Sequence, residues 1–78
     1  GPYMRDIVAS NNLVRGSQVG LAVSIVPKAG SVLIESNLFE DVTTAIAGFR
    51  WRDQSTGELL GNPDKVPANI RLNNNQIA

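Results

Sequence analysis

Seventy-eight residues confine this chain to one small domain, and the absence of cysteine and histidine excludes disulfides, thiolate zinc sites and histidine-ligated metals. Seven basic residues balance seven acidic ones, so there is no electrostatic footprint for nucleic acid or anionic lipid. No apolar run is long enough for membrane insertion, and the N-terminus lacks a charged-then-apolar signal pattern.

Gly1 to Asp6 read as a lead-in, with Met4 and Ile7-Val8 supplying the first apolar positions. Ser10-Asn11-Asn12 is a turn cluster, Leu13-Val14 a very short strand, and Arg15 to Gln18 a second corner. From Val19 to Val26 the chain alternates: Val19, Leu21, Val23 and Ile25 share one face, and Gly20, Ala22 and Ser24 the other. That period of two predicts a β-strand, ended by Pro27 to Gly30.

The same order then recurs. Val32-Leu33-Ile34 is a strand, Glu35-Ser36-Asn37 a turn, Leu38-Phe39 a short strand and Glu40 to Thr44 a polar corner. Ala45 to Phe49 repeats the earlier alternating strand, with Ile46 under Leu21, Ala47 under Ala22 and Ala45 matching Gly20. Arg50 to Pro67 interrupts the pattern with polar residues and breakers, which predicts a loop or hairpin turning at Ser55-Thr56-Gly57. Ala68 to Ala78 begins a third round and stops inside it.

Aligned, these rounds form columns. Asn12, Asn37 and Asn75 occupy one, Val14, Phe39 and Ile77 the next but one. The first two rounds are offset by 25 residues, from position 12 to position 37. The spacing suits coils of a β-solenoid, stacked about 4.8 Å apart so that equivalent residues lie in register. Inward positions must then be apolar, which Val14, Phe39 and Ile77 satisfy, and Leu13 with Leu38 are assigned inward beside them. Asparagine suits a sharp corner because it tolerates left-handed φ and its amide can bond the amides above and below. Asn12, Asn37 and Asn75 are therefore assigned to a structural ladder. Gly20 and Ala45 are expected to let neighbouring coils approach closely.

Several stretches resemble the closing part of a family of twin-arginine-translocated repeat proteins. They are Gly1 to Asp6, Gly20 to Gly30, Thr44 to Trp51 and Thr56 to Leu60. The resemblance covers nearly the whole chain. It implies a right-handed parallel β-helix like that of pectate lyases, and an export signal far upstream of Gly1. It carries over no catalytic residue, because the family offers no established catalytic set.

Chemistry is sparse. The acidic residues are Asp6, Glu35, Glu40, Asp41, Asp53, Glu58 and Asp64, of which only Glu40 and Asp41 adjoin, in a corner where solvated charges are common. No oxygen-rich run has calcium spacing, and the serines have no histidine to activate them. The constellation singled out for ligand binding is Arg50-Trp51-Arg52-Asp53. Trp51 could stack on a sugar while Arg50 or Arg52 grips a uronate carboxylate. The competing reading packs Trp51 under the inserted loop against Leu59 or Leu60, with the arginines facing solvent or paired with Asp53 and Glu58.

The expectation is an all-β fold: a fragment of a right-handed parallel β-helix, about two coils plus part of a third, with a loop or hairpin insertion at about 50–67. Residues 1–78 form a single segment, expected to be the C-terminal portion of a longer exported chain. The expected function is non-catalytic, structural or carbohydrate-interacting. One alternative is the end of a polysaccharide lyase or hydrolase whose active site lies upstream. Another is a self-assembly module. No metal or cofactor is implied. Expected partners are further copies or upstream coils and, at Arg50–Asp53, acidic polysaccharide; nucleic acid and membrane insertion are not expected.

Overall fold

The computed structural model describes residues 6–25, 30–50 and 54–78, and the chain they trace is all-β. A first tier of strands comprises β1 (Ile7–Ser10), β2 (Leu13–Arg15) and β3 (Val19–Ser24). A second comprises β4 (Val32–Glu35), β5 (Leu38–Glu40) and β6 (Thr44–Arg50). There follow β7 (Gln54–Glu58), a one-turn 3-10 helix at Pro63–Lys65, β8 (Ile70–Asn73) and β9 (Gln76–Ile77). The strands build three three-stranded sheets, ordered β1-β4-β8, β2-β5-β9 and β3-β6-β7. The first two sheets are wholly parallel, and the third is mixed because β7 runs antiparallel to β6.

The registers are those of the sequence columns. Ile7 lies over Val32 and Val32 over Ile70, Val14 over Phe39 and Phe39 over Ile77, Leu21 over Ile46 and Ala22 over Ala47. Each tier bends at equivalent points through a left-handed residue: Asn11, Ser36 and Asn74 have φ of 57°, 56° and 55°. The left-handed residue is thus the one before each ladder asparagine, and the asparagine itself keeps negative φ. A second corner uses Gly16 and Asp41, at φ 65° and 54°.

Alternation along these short strands decides what is inside. Val32, Ile34, Phe39, Ala45, Ile46, Leu59 and Ile70 form the buried core, with Ile7, Ala9, Val14, Leu21, Val23 and Ile25 packed against it. Because Val14 and Phe39 point inward, their neighbours Leu13 and Leu38 must point outward. Leu13 is accordingly 54% exposed, so the inward assignment of Leu13 and Leu38 is corrected. Val19 also departs from the expected face, at 40% exposure opposite Thr44. The next residue, Gly20, lies against the core instead. A Cβ there would come within 2.6 Å of both the Phe39 ring and the Ala45 carbonyl oxygen, so close tier approach does require glycine.

The interruption contains a hairpin, but its turn is not at Ser55-Thr56-Gly57. Those residues lie within β7, where Gly57 faces Gly48 and the Thr56 hydroxyl donates to the Gly48 carbonyl at 3.0 Å. Arg50 pairs with Gln54, and positions 51–53 lie outside the described residues. Beyond β7 the Leu59 N–H donates to the Ile46 carbonyl at 2.8 Å, and the Leu59 side chain fills the core beneath the second tier. Leu60 and Val66 pack around it.

Candidate functional site

The polar feature that the stack builds most completely is the asparagine column. Asn12 donates both its backbone N–H and its side-chain amide to Asn37 Oδ1, at 3.0 and 2.9 Å. Asn37 repeats both bonds to Asn75 Oδ1, at 3.2 and 2.9 Å. Each lower asparagine reaches back up as well. Asn37 Nδ2 donates to the Ala9 carbonyl at 3.1 Å, and Asn75 Nδ2 to the Ile34 carbonyl at 2.9 Å. Asn37 is only 1% exposed, so its amide is buried and spent wholly on its neighbours. A side chain with every polar atom engaged holds a corner and offers nothing to a ligand.

The charged residues show the same habit. Glu40 accepts from Arg15 Nε at 2.7 Å in the register position directly below it, and Asp6 accepts from the Ser31 hydroxyl at 2.6 Å. Glu58 serves the backbone: its two oxygens accept the N–H groups of Ala45 and Ile46, each at 2.7 Å, and Oε2 also that of Leu60 at 3.3 Å. It occupies the edge of β6 where β7 ends, replacing the strand partner that those amides would otherwise need. In the sequence Glu58 reads as one of seven scattered carboxylates or as a partner for arginine; it lies in the interruption, where no repeat signals its role. Asn69 opens the third round, one position before the column of Ile7, Val32 and Ile70, where it stands level with Ser31 and so carries no repeated residue type; its amide donates to the Gly30 carbonyl at 2.9 Å.

Of the proposed ligand constellation, Arg50 is exposed at the end of β6, while Trp51, Arg52 and Asp53 lie outside the described residues. Among the described residues no three acidic side chains converge as a metal site would require. Every buried side-chain nitrogen or oxygen among them has a hydrogen-bond partner. No helix is long and apolar enough to cross a membrane among the described residues. Comparison with protein-family models, curated proteins and solved structures found no match to this chain.

Proposed function

We propose that this chain is a non-catalytic structural segment of an exported repeat protein, comprising about two coils and part of a third of a right-handed parallel β-helix. The observation that carries the reading is the column Asn12–Asn37–Asn75, in which the buried Asn37 amide is consumed by the tiers above and below it. Such a column stiffens a corner against its neighbours and contributes nothing to bond-making chemistry. The right hand is supported by the general rule that crossovers between parallel strands of one sheet take that hand in about 98% of cases. Export rests on the resemblance to twin-arginine-translocated repeat proteins.

Asn37→Ala tests the ladder. The substitution removes four part-buried hydrogen bonds of the Asn37 side chain, two accepted from Asn12, one donated to the Ala9 carbonyl and one donated to Asn75 Oδ1, each worth about 0.5–1.5 kcal/mol. Denaturant melts are expected to show a loss of at least about 2 kcal/mol. Asn62→Ala is the control, because Asn62 Nδ2 donates only to the nearby Glu58 carbonyl, at 3.0 Å. Equal and negligible losses for both would sink the structural reading. Incubation of the chain with polygalacturonate tests the word non-catalytic: release of unsaturated or reducing-end sugars would contradict it.

The exposed guanidinium of Arg50 favours a second reading, in which the Arg50–Asp53 surface holds an acidic polysaccharide. Titration with oligogalacturonate would then show binding that Arg50→Ala and Trp51→Ala each weaken. Binding indifferent to both substitutions would discard that surface.

A further inference from the structure

Of the three sheets only the third breaks the stacking pattern. β8 and β9 continue the first two in parallel, whereas β7 turns back against β6. The round that holds β7 spans 38 residues between ladder asparagines, against 25 in the round before it. β7 covers only part of the β6 edge that faces away from β3. Its pairing runs from Arg50 back to Ala47, and no strand among the described residues lies beside positions 44–46 on that side. There the Ala45 and Ile46 N–H groups donate to the Glu58 carboxylate, each at 2.7 Å, and the Leu59 N–H donates to the Ile46 carbonyl at 2.8 Å. A carboxylate only accepts, so it closes these donors with charge-assisted bonds and gives an incoming strand no donor to pair with.

The far side of β7 is guarded too. The Leu59 N–H points to β6, so the Glu58 carbonyl in the same trans peptide points away from it. That carbonyl accepts from Asn62 Nδ2 at 3.0 Å. The Lys65 ammonium lies beside the strand, 3.4 Å from where a Cβ on Gly57 would be. The ladder itself is irregular, with a register shift between Gly48 and Phe49. A bulge, a lysine and a covering turn are each means by which sheets keep other strands off an edge. Here all three meet on one short hairpin strand.

We propose that residues 54–65 are a strand terminator. They end the third sheet at β7 and keep a strand of a second copy from adding to β6, and Glu58 is the residue that closes the half of the edge β7 leaves uncovered. The stop is built into the interruption and is the same whatever chain precedes or follows this segment. Beyond the structural role proposed above, the segment thus limits which of its sheets can grow.

Glu58→Ala tests it on a chain carrying pyrene at Thr43→Cys. The chain has no cysteine of its own, and Thr43 is exposed just before β6. Two copies joined along the freed edge of β6 bring their labels together, and excimer emission reports the contact. Circular dichroism on each sample shows whether the chain is folded. Glu58→Gln, closer in shape, is the second variant should Glu58→Ala not fold. Glutamine keeps one of the two acceptor oxygens and leaves one amide without its partner.

The expected result is no excimer emission from the labelled chain that keeps Glu58, and emission that rises with concentration for folded Glu58→Ala. Folded Glu58→Gln should give the same rise, but weaker. Excimer emission from the chain that keeps Glu58 would overturn the proposal, because the edge would then be open with the carboxylate in place. So would folded Glu58 variants that stay dark at every concentration, since Glu58 would then be a bond within the hairpin and nothing more. Neither outcome touches the ladder, which is judged by the Asn37→Ala melt.

Discussion

Ile7 and Ile70 stand in one column, on either side of Val32, and meet different fates. Ile70 is 4% exposed, whereas Ile7 is only half-buried. Their side chains are identical and both point inward, so the difference comes from what lies beyond them. Past Ile70 the interruption has folded back: Leu59 is fully buried, and Leu60 and Val66 pack against the same core. Nothing among the described residues does this for Ile7, Ala9 or Val14. The lesson is that a stacked tier cannot bury itself, and its stability is set by the neighbour it is given.

The sharpest way to break this comparison is to cut equivalent inward residues from the two tiers. Phe39→Ala removes a fully buried ring from between Val14 and Ile77, and the cavity should cost about 3–5 kcal/mol. Val14→Ala, one tier higher in the same column, gives up only half-buried methyl groups and should cost about 1 kcal/mol. Denaturant melts of the two variants measure the gap directly. Similar losses would mean that the first tier is covered in solution as the second is.

A smaller effect is expected from the seam where the covered end is made. Glu58→Ala leaves the Ala45 and Ile46 N–H groups without the carboxylate that accepts them, and a loss of about 2–3 kcal/mol is expected. Hydrogen exchange should speed up at those two amides more than at Val32, whose N–H donates to the Asn69 carbonyl. Unchanged exchange at Ala45 and Ile46 would show that Glu58 is not what closes the edge of β6.

These contrasts also mark where the sequence was legible. In-register stacking forces chemically similar residues into one column, so Asn12, Asn37 and Asn75 align from the sequence alone. The column pattern does not say which side of a strand faces in, because an outward pair such as Leu13 and Leu38 is as well matched as an inward one. The interruption was the least legible part. Ser55-Thr56-Gly57 has the composition of a turn, but Gly57 lies within β7 opposite Gly48 and takes a φ of 99° there, which favours glycine inside the strand. Glu58 acts on backbone groups of a strand with a different pattern, and no spacing rule announces such a bond. Of the ligand constellation, only Arg50 has a described position, at the exposed end of β6.

The smallest effect belongs to the pair that looks strongest by distance. Arg15 Nε and Glu40 Oε2 are 2.7 Å apart and in register, but the arginine side chain is 67% exposed. An ion pair in water gains little, because solvent screens the attraction and two long side chains lose freedom to hold it. Glu40→Gln should therefore change the melting free energy by less than about 1 kcal/mol, and less still in high salt. Asn37 sits three residues from the outer column that carries this pair, on bonds of 2.9 to 3.2 Å, yet its loss should cost several times more. If Glu40→Gln proved as damaging as Asn37→Ala, the stack would be held by its outer charges and not by its buried corner.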